Sequence, residues 1–324
     1  MTGTTLLTGG TGIVGNAIAA ELVRRGRRVR ALVRSLDRGT ALLPPECELV
    51  QGDVTDADSV ARAVAGCEVV YHAAGLPEQW LADARVFQQV NAGGTRLVAD
   101  AARAAGVARF VYTSTIDVFA CVPGVPFDEG TIAVEPKPTA YERSKQEADR
   151  HVARLVRDGF PAVFLHPSAV YGPVPAASPG LNQLVGDLAR GKIPLLLPGG
   201  MPVVFAADVA VGHVLAETSA PGSRFILSES YWELAGIARA VAELKGSRVP
   251  RVMPGFVARM LAVAGEAVAG LTRKAPLIPR GQLSFLESHT RPDAARARRV
   301  LGWTPVAFRD ALPATLDFVL GRRD

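Results

Sequence analysis

Cysteine is scarce in this chain: Cys47, Cys67 and Cys121 are the three in 324 residues. They stand far apart and in no metal-ligand spacing, which excludes a disulfide framework and a cysteine-built metal cage. Free thiols fit a reducing compartment, so the cytoplasm is the expectation, with no metal site. Long apolar runs are missing as well: none reaches the roughly 18 residues of a membrane span. The nearest stretch, Phe256 to Leu271, is interrupted by Arg259 and Glu266. Its Val257, Met260, Leu261, Ala264, Val268 and Leu271 fall at helical spacing. That predicts an amphipathic helix in the core or the wall of a pocket, and no stable membrane insertion. The first residues, Met1 to Leu7, lack the basic start and cleavage site of a secretory signal, so they are expected to belong to the fold. Nucleic-acid motifs are absent too. The net charge of +5 comes with arginines scattered over helices, such as Arg24, Arg62, Arg103, Arg154, Arg239 and Arg299. A solvated basic surface is the expectation, and nucleic acid is not an expected partner.

What the chain has in plenty is apolar residues, 48% of the total, enough for a large buried core. Its first half alternates β-branched runs with Ala-rich helical stretches, the pattern of a parallel sheet with crossover helices. Strands are predicted at Thr4–Thr8, Val29–Val33, Glu48–Gly52, Val69–His72, Phe110–Ser114 and Ala162–His166. Helices are predicted at Val14–Arg25, Asp56–Ala65, Phe87–Ala105 and Tyr141–Asp158. The fold class is therefore α/β, a Rossmann-type doubly wound parallel sheet whose ligand crevice lies at the carboxyl ends of the strands. After Tyr171 the chain turns rich in Pro and Gly around a helical stretch at Leu181–Arg190, then returns to the core near residues 203–228. From Trp232 it reads as helices, including Ala294–Gly302 and Ala311–Leu320. The expected organisation is a dinucleotide-binding core, 1–171, with return segments near 203–228. Residues 172–202 and 229–324 would form a smaller, interleaved substrate lobe.

Thr8-Gly9-Gly10-Thr11-Gly12-Ile13-Val14-Gly15 joins the first strand to the first helix. Glycines at 9, 12 and 15 let the backbone turn tightly and approach a pyrophosphate at the helix N-terminus. The placement, more than the glycines, makes this a dinucleotide loop. An NAD site usually carries an acid at the end of the second strand. Here Val33 is followed by Arg34 and Ser35. A guanidinium pairs with a 2′-phosphate that a carboxylate would repel, so NADP(H) is favoured over NAD(H).

Tyr141-Glu142-Arg143-Ser144-Lys145 opens a helix and sets Tyr141 and Lys145 on one face. A phenol with a pKa of about 10 is a poor proton donor or acceptor near neutrality. A neighbouring ammonium stabilises the phenolate and makes proton exchange with an alcohol or carbonyl feasible.

Together these motifs resemble the extended short-chain dehydrogenase/reductase family, also called the NAD-dependent epimerase/dehydratase family, over nearly the whole chain. The loop matches TGxxGxxG, and Gly52-Asp53-Val54 resembles the adenine-binding Asp segment. His72-Ala73-Ala74-Gly75 is similar to the cofactor-lining segment after strand four, and Asn91-Ala92-Gly93-Gly94-Thr95 to the N-x-x-GT helix. His166-Pro167-Ser168-Ala169-Val170-Tyr171-Gly172-Pro173 resembles RPxxVYGP, and Arg298 to Trp303 the LGW-type signature. The resemblance implies Tyr141 as general acid/base, Lys145 as its electrostatic partner and ribose ligand, and Thr115 as the hydroxyl that bonds the reacting oxygen. Ser114 is a second candidate for that last role. It implies cofactor contacts from Gly9, Thr11, Gly12, Ile13, Val14, Gly15, Arg34, Asp53, Val54, Ala73, Ala74, Gly75, Asn91, Ser114, Tyr141, Lys145, Pro167 and Val170.

Two departures bear on substrate. His166 replaces the usual arginine before the proline and reads equally as a packed strand-end residue. Met201 stands where sugar-nucleotide epimerases carry the arginine that pairs with the substrate diphosphate. Its surroundings, Ile193 to Pro198, are apolar, although Arg190, Lys192 or Arg224 could substitute. The segments around Pro138 and Pro167 look closest to the dihydroflavonol-reductase-like and 3β-hydroxysteroid-dehydrogenase-like branches. The leading expectation is thus an NADP(H)-dependent oxidoreductase for a bulky, largely apolar ketone and alcohol. A nucleotide-sugar epimerase or dehydratase is the alternative, and a non-catalytic dinucleotide-binding regulator a third reading. The expected partner is a small-molecule substrate, with room for a homodimer.

Overall fold

Short strands alternate with helices through the first half, as the sequence pattern demands. In order they are β1 (Thr4–Thr8), α1 (Ile13–Arg24), β2 (Arg28–Val33), α2 (Leu36–Leu42), β3 (Glu48–Gln51), α3 (Ala57–Val64) and β4 (Cys67–His72). Next, α4 (Arg85–Phe87) runs through a π-helical turn at Gln88–Gly94 into α5 (Thr95–Ala104), followed by β5 (Arg109–Thr113). A 3-10 turn at Ile116–Val118, β6 (Pro126–Phe127), α6 (Ala140–Arg157), β7 (Ala162–Pro167) and β8 (Ala169–Tyr171) complete this half. The second half holds α7 (Leu181–Ala189), β9 (Leu195–Leu196), β10 (Gly200–Phe205), α8 (Ala206–Ala216), β11 (Arg224–Leu227), β12 (Ser230–Glu233) and α9 (Leu234–Lys245). It ends with β13 (Arg251–Val252), α10 (Gly255–Thr272), α11 (Arg280–Glu287), β14 (Arg291–Pro292), α12 (Ala295–Leu301) and α13 (Phe308–Val319). This computed structural model describes residues 3–78, 80–176 and 180–321. Met1 and Thr2 of the expected first segment, and 177–179 and 322–324 of the expected lobe, lie outside the described residues.

Seven strands pair in parallel in the order β11-β7-β5-β4-β1-β2-β3. Side chains alternate between the two faces of a strand, and here both faces are covered. Leu7, Tyr71 and Val111 pack with Ile18 of α1 and Val209 of α8 on one side. Leu6, Val70 and Phe110 pack with Val60 of α3, Ala99 of α5 and Val152 of α6 on the other. That is why these strands are rich in β-branched and apolar residues on both faces rather than alternating apolar with polar. The chain order reverses between β1 and β4, so the crevice at their carboxyl ends is a topological switch point. A third cluster, around Leu188, Leu234, Leu312 and Leu316, holds the second half together over that crevice. The segment from Ala294 to Trp303, expected in the outer lobe, buries Ala294, Ala297 and Trp303 in the same cluster as Leu7 and Ile18.

Two helices differ from expectation. The stretch foreseen as one helix from Phe87 contains the π turn, whose extra residue rotates the helix face and buries Asn91 completely. Helix α10 forms where the periodicity placed it, but it is turned inside out. Its buried residues are Ala258, Ala262 and Ala269, while Phe256, Met260 and Leu271 are 64%, 67% and 88% exposed. It is neither a core helix nor a pocket wall. Its small-residue seam packs closely on Ile278 and Leu283, leaving no room there for its large side chains.

Candidate active site

A cavity of about 1080 Å3 runs from the glycine turn across the carboxyl ends of the sheet into the second half of the chain. Gly9 makes its turn with φ 74°, and a Cβ there would stand 2.5 Å from the Ala73 carbonyl carbon. A Cβ on Gly15 would meet the Gly9 carbonyl oxygen at 2.2 Å, so turn and helix touch backbone to backbone. Thr11, Gly12, Ile13, Val14 and Gly15 line the cavity. Helix α1 begins after Gly12, so its first backbone N–H groups have no partner within the helix and face that space. Thr8 and His72 fix the floor: Thr8 Oγ1 lies 2.7 Å from His72 Nδ1, and His72 Nε2 lies 2.9 Å from Thr95 Oγ1. Burial pushes His72 down to about 3, so the ring is neutral and holds strands rather than ligand.

At one end of the cavity lie Arg34, Arg38, Asp53 and Val54. Arg38 was not singled out by sequence, yet it stands one turn beyond Arg34 in α2, whose first turn is capped by Ser35. The spacing Arg34-x-x-x-Arg38 was the available signal. The Asp53 carboxylate accepts from the backbone N–H and the hydroxyl of Thr55, at 2.9 and 2.8 Å, and so shapes its own turn. Ala73, Ala74 and Gly75 form the next stretch of wall. Asn91 does not reach the cavity, and its expected cofactor contact is corrected here. Its Oδ1 accepts from the Leu76 N–H at 2.7 Å and its Nδ2 donates to Ser144 Oγ at 3.0 Å. The π turn aims that amide at the loop behind the wall, so Asn91 positions residues 75–77 against α6.

Helix α6 starts on a capping box: the Glu142 N–H donates to Thr139 Oγ1 at 3.1 Å, and the Thr139 N–H to Glu142 Oε2 at 2.9 Å. That cap fixes Tyr141 in the first turn and Lys145 one turn on, both buried and both lining the cavity. Lys145 Nζ donates to the Thr113 carbonyl at 3.0 Å. Burial pushes Lys145 down to about 8, while the carboxylates of Asp149 and Asp117 oppose the fall. Burial raises the Tyr141 phenol, Asp117 adds to the rise, and the Thr115 hydroxyl pulls the other way. The phenol is therefore protonated at neutral pH.

Thr115 and Ser114 both line the cavity but differ in their partners. Ser114 Oγ donates to Asp149 Oδ2 at 2.8 Å, and Asp149 is held by Arg224 at 2.7 Å. Thr115 Oγ1 donates to Asp117 Oδ2 at 2.8 Å and accepts the Asp117 N–H at 3.2 Å. Asp117 was missed by sequence. It lines the cavity, and burial followed by the nearby Glu142 pushes its carboxyl up to about 6. Its signal was the Thr-x-Asp capping spacing at a strand end. His166 is packed at a strand end, as one reading held: its ring lies 3.2 Å from the Thr115 carbonyl and 3.3 Å from Arg224. Burial pushes it down to about 3, so it holds the Thr115 backbone as a neutral ring. Pro167 and Val170 close the wall. Among the described residues no group of three His, Cys, Asp or Glu side chains gathers to hold a metal.

Beyond Val170 the lining changes. Leu181, Leu184, Ile193, Leu196, Met201, Leu234, Met253, Phe285 and Leu286 surround this end, where Lys192 and Gln282 are the polar side chains among the described residues. Arg190 donates instead to the Val319 carbonyl, and Arg224 is engaged by Asp149.

The residues present fit a dinucleotide laid from Arg34 to Tyr141, and comparison with known proteins agrees. The family model for the NAD dependent epimerase/dehydratase family matches residues 5–225. The chain is 29% identical to sterol demethylase protein B of Methylococcus capsulatus over 95% of both chains. It is 30% identical to a 4-hydroxy-2-methyl-3-oxo-4-farnesyl-3,4-dihydroquinoline-1-oxide ketoreductase of Stigmatella aurantiaca, covering 82% of this chain and 80% of that one. The crystal structure of gox2253 superposes with a TM-score of 0.84 at 30% identity, covering 100% of both chains. The chain belongs to the NAD dependent epimerase/dehydratase family, the extended short-chain dehydrogenases/reductases, and is an NAD(P)-dependent oxidoreductase.

Proposed function

We propose that this enzyme interconverts a bulky, largely apolar ketone and its alcohol with NADP(H), through Tyr141, Lys145 and Thr115. The observation that carries the reading is the lining beyond Val170, where Met201 and its leucine and isoleucine neighbours leave Lys192 as the one cation among the described residues. A diphosphate buried there would lack the paired guanidinium that such a charge requires. The relatives named for a sterol and for a farnesyl-bearing ketone support the same substrate class. Arg34 and Arg38 at the far end support NADP(H), since two guanidiniums suit a 2′-phosphate. This reading divides the molecule into a nucleotide core, 1–171 with its return near 203–228, and a substrate part from 172–202 and 229–324, of which Ala294 to Trp303 packs back on the core.

A reduced nicotinamide bound beside Tyr141 would supply the hydride. Tyr141 gives its phenolic proton to the carbonyl oxygen as that oxygen gains negative charge. The Lys145 ammonium, fixed by the Thr113 carbonyl, balances the charge left on the phenolate. Thr115 steers the carbonyl, its hydroxyl exchanging Asp117 for the substrate oxygen. The apolar end excludes water around these charges and so strengthens each interaction.

The test is NADPH oxidation across aryl, steroid-like and acyl ketones, with nucleotide sugars alongside under product analysis. At least one bulky ketone should turn over, and Tyr141→Phe should lower its kcat by about 10²–10⁴-fold while NADPH still binds. Undiminished turnover in Tyr141→Phe would place the proton donor elsewhere, and epimerised nucleotide sugar would replace the substrate assignment.

A further inference from the structure

Helix α10 presents its large side chains outward. On its helical projection Phe256, Met260, Val263, Val268 and Leu271 fall on one broad arc, all exposed, while the seam of Ala258, Ala262 and Ala269 faces the protein. A helix stabilised only by contact with its own protein puts the large apolar residues inward, because their burial drives packing. The two charges on α10 sit beside the seam rather than on the arc. Arg259 pairs with Glu287 at 3.3 Å, and Glu266 accepts the Arg280 backbone N–H at 2.7 Å. Leu277, in the turn after the helix, is 93% exposed as well.

The ends of this apolar face are basic. Arg248 and Arg251 precede it, Arg273, Lys274 and Arg280 follow it, and all five are exposed. Between residues 248 and 280 there are six cations and one acid. That excess of five matches the net charge of the entire chain, +5, so the rest of the protein is balanced. Arg259 is paired with Glu287, so among the described residues the unpaired cations of this stretch are those that flank the exposed apolar helix.

We infer that α10 docks this enzyme on an anionic lipid bilayer, lying in the interface with its apolar arc among the acyl chains and its flanking cations on the headgroups. A second copy fits less well. A two-fold contact sets the same patch on both sides, so the same cations would face one another. Helix α10 is long and apolar enough to cross a membrane by length and composition alone, but its alanine seam is packed on α11, so it lies on the surface. The cavity reaches the segments that flank it: Met253, just before α10, and Leu277, in the chain that folds back over the helix middle at Gly265, both line the cavity. An apolar ketone dissolved in the bilayer would enter there without crossing water. This second step rests on the proposed substrate class, whereas docking rests on the surface alone.

The experiment is flotation of the full chain, with NADPH, on vesicles of phosphatidylcholine alone and of phosphatidylcholine with phosphatidylglycerol. Binding should need the anionic lipid and weaken as salt rises. Arg251→Gln/Lys274→Gln should lower partitioning about fivefold per cation removed, and Met260→Glu/Leu271→Glu should abolish it. These side chains are exposed, so thermal midpoint and NADPH affinity should hold in all variants. No binding to anionic vesicles, or binding that survives both pairs of substitutions, overturns the proposal. So does a dimer in solution that Met260→Glu/Leu271→Glu dissociates while vesicles capture nothing. Flotation reads no turnover, so its outcome is independent of the substrate assignment. For the entry route, Met260→Glu/Leu271→Glu should raise KM for a vesicle-dissolved ketone and leave KM for a water-soluble ketone unchanged. Equal KM values for the vesicle-dissolved ketone overturn that route.

Discussion

Arg34 and Arg38 face the same end of the cavity from the end of β2 and the first turn of α2. Their positive charges make that end hospitable to a phosphate on the ribose 2′-oxygen and offer nothing specific to a hydroxyl. NADPH should therefore bind more tightly than NADH. Because both arginines are exposed, Arg34→Ala and Arg38→Ala should each erode the difference by only about 1 kcal/mol. Titration of both cofactors against the three proteins measures this, and equal affinities in the unmodified enzyme would refute it. Lys145 sets a second measurable property. Its ammonium, lowered to about 8 by burial, is present below that pH and lost as pH rises through it. In the proposed mechanism the ammonium balances the phenolate that forms during reduction, so kcat for ketone reduction should fall above about pH 8. The carboxylate of Asp117 helps hold the lysine protonated. Asp117→Asn should move that falling limb to lower pH, and a limb that stays in place would belong to a different group.

Among elements, those of the first half announce themselves because local and tertiary signals coincide. Strand β1 matches the run Thr4–Thr8 because β-branched threonines and two leucines suit a strand covered on both faces, and Gly9 ends it. Helix α6 begins within a residue of its expected start because Thr139 and Glu142 cap it locally. The two-residue strands β9, β13 and β14 carry no such signal, since they exist only by pairing with distant segments. Periodicity found α10 but not its facing: a 3.6-residue repeat locates an apolar stripe without saying whether protein or another medium covers it. The same limit applies within the site. The shared placement of Tyr141 and Lys145 was legible because their spacing alone sets both on one helix face, and both line the cavity. Asn91 was read as a cofactor residue because its motif cannot reveal the π turn that directs its amide to Leu76 and Ser144. Asp117 went unread because its importance arises only when the fold buries it between Thr115 and Tyr141.

For the molecule as a whole, the cavity joins two environments that the chain builds from different halves. One is polar, with backbone N–H groups, arginines and Lys145; the other is mostly leucine, isoleucine, methionine and phenylalanine, with Lys192 and Gln282 among them. A ligand that places charge at the polar end and apolar bulk at the other satisfies both, whereas a second diphosphate at the apolar end does not. In saturating NADPH, bulky apolar ketones should therefore raise the thermal midpoint, since burying their surface contributes roughly 25 cal/mol per Å2. A ligand at a hundred times its dissociation constant stabilises a fold by about 2.7 kcal/mol, well within reach of a thermal-shift assay. UDP- and dTDP-sugars should produce no shift and should not compete with the ketone. Met201→Arg is the informative variant, because it puts a guanidinium into the apolar end opposite Trp232. It should weaken the ketone response without creating one to free nucleotide. A clear shift in the unmodified enzyme with a nucleotide sugar, and none with the nucleotide alone, would mean that Lys192 suffices as a diphosphate partner and that hydride leaves and returns to the same sugar.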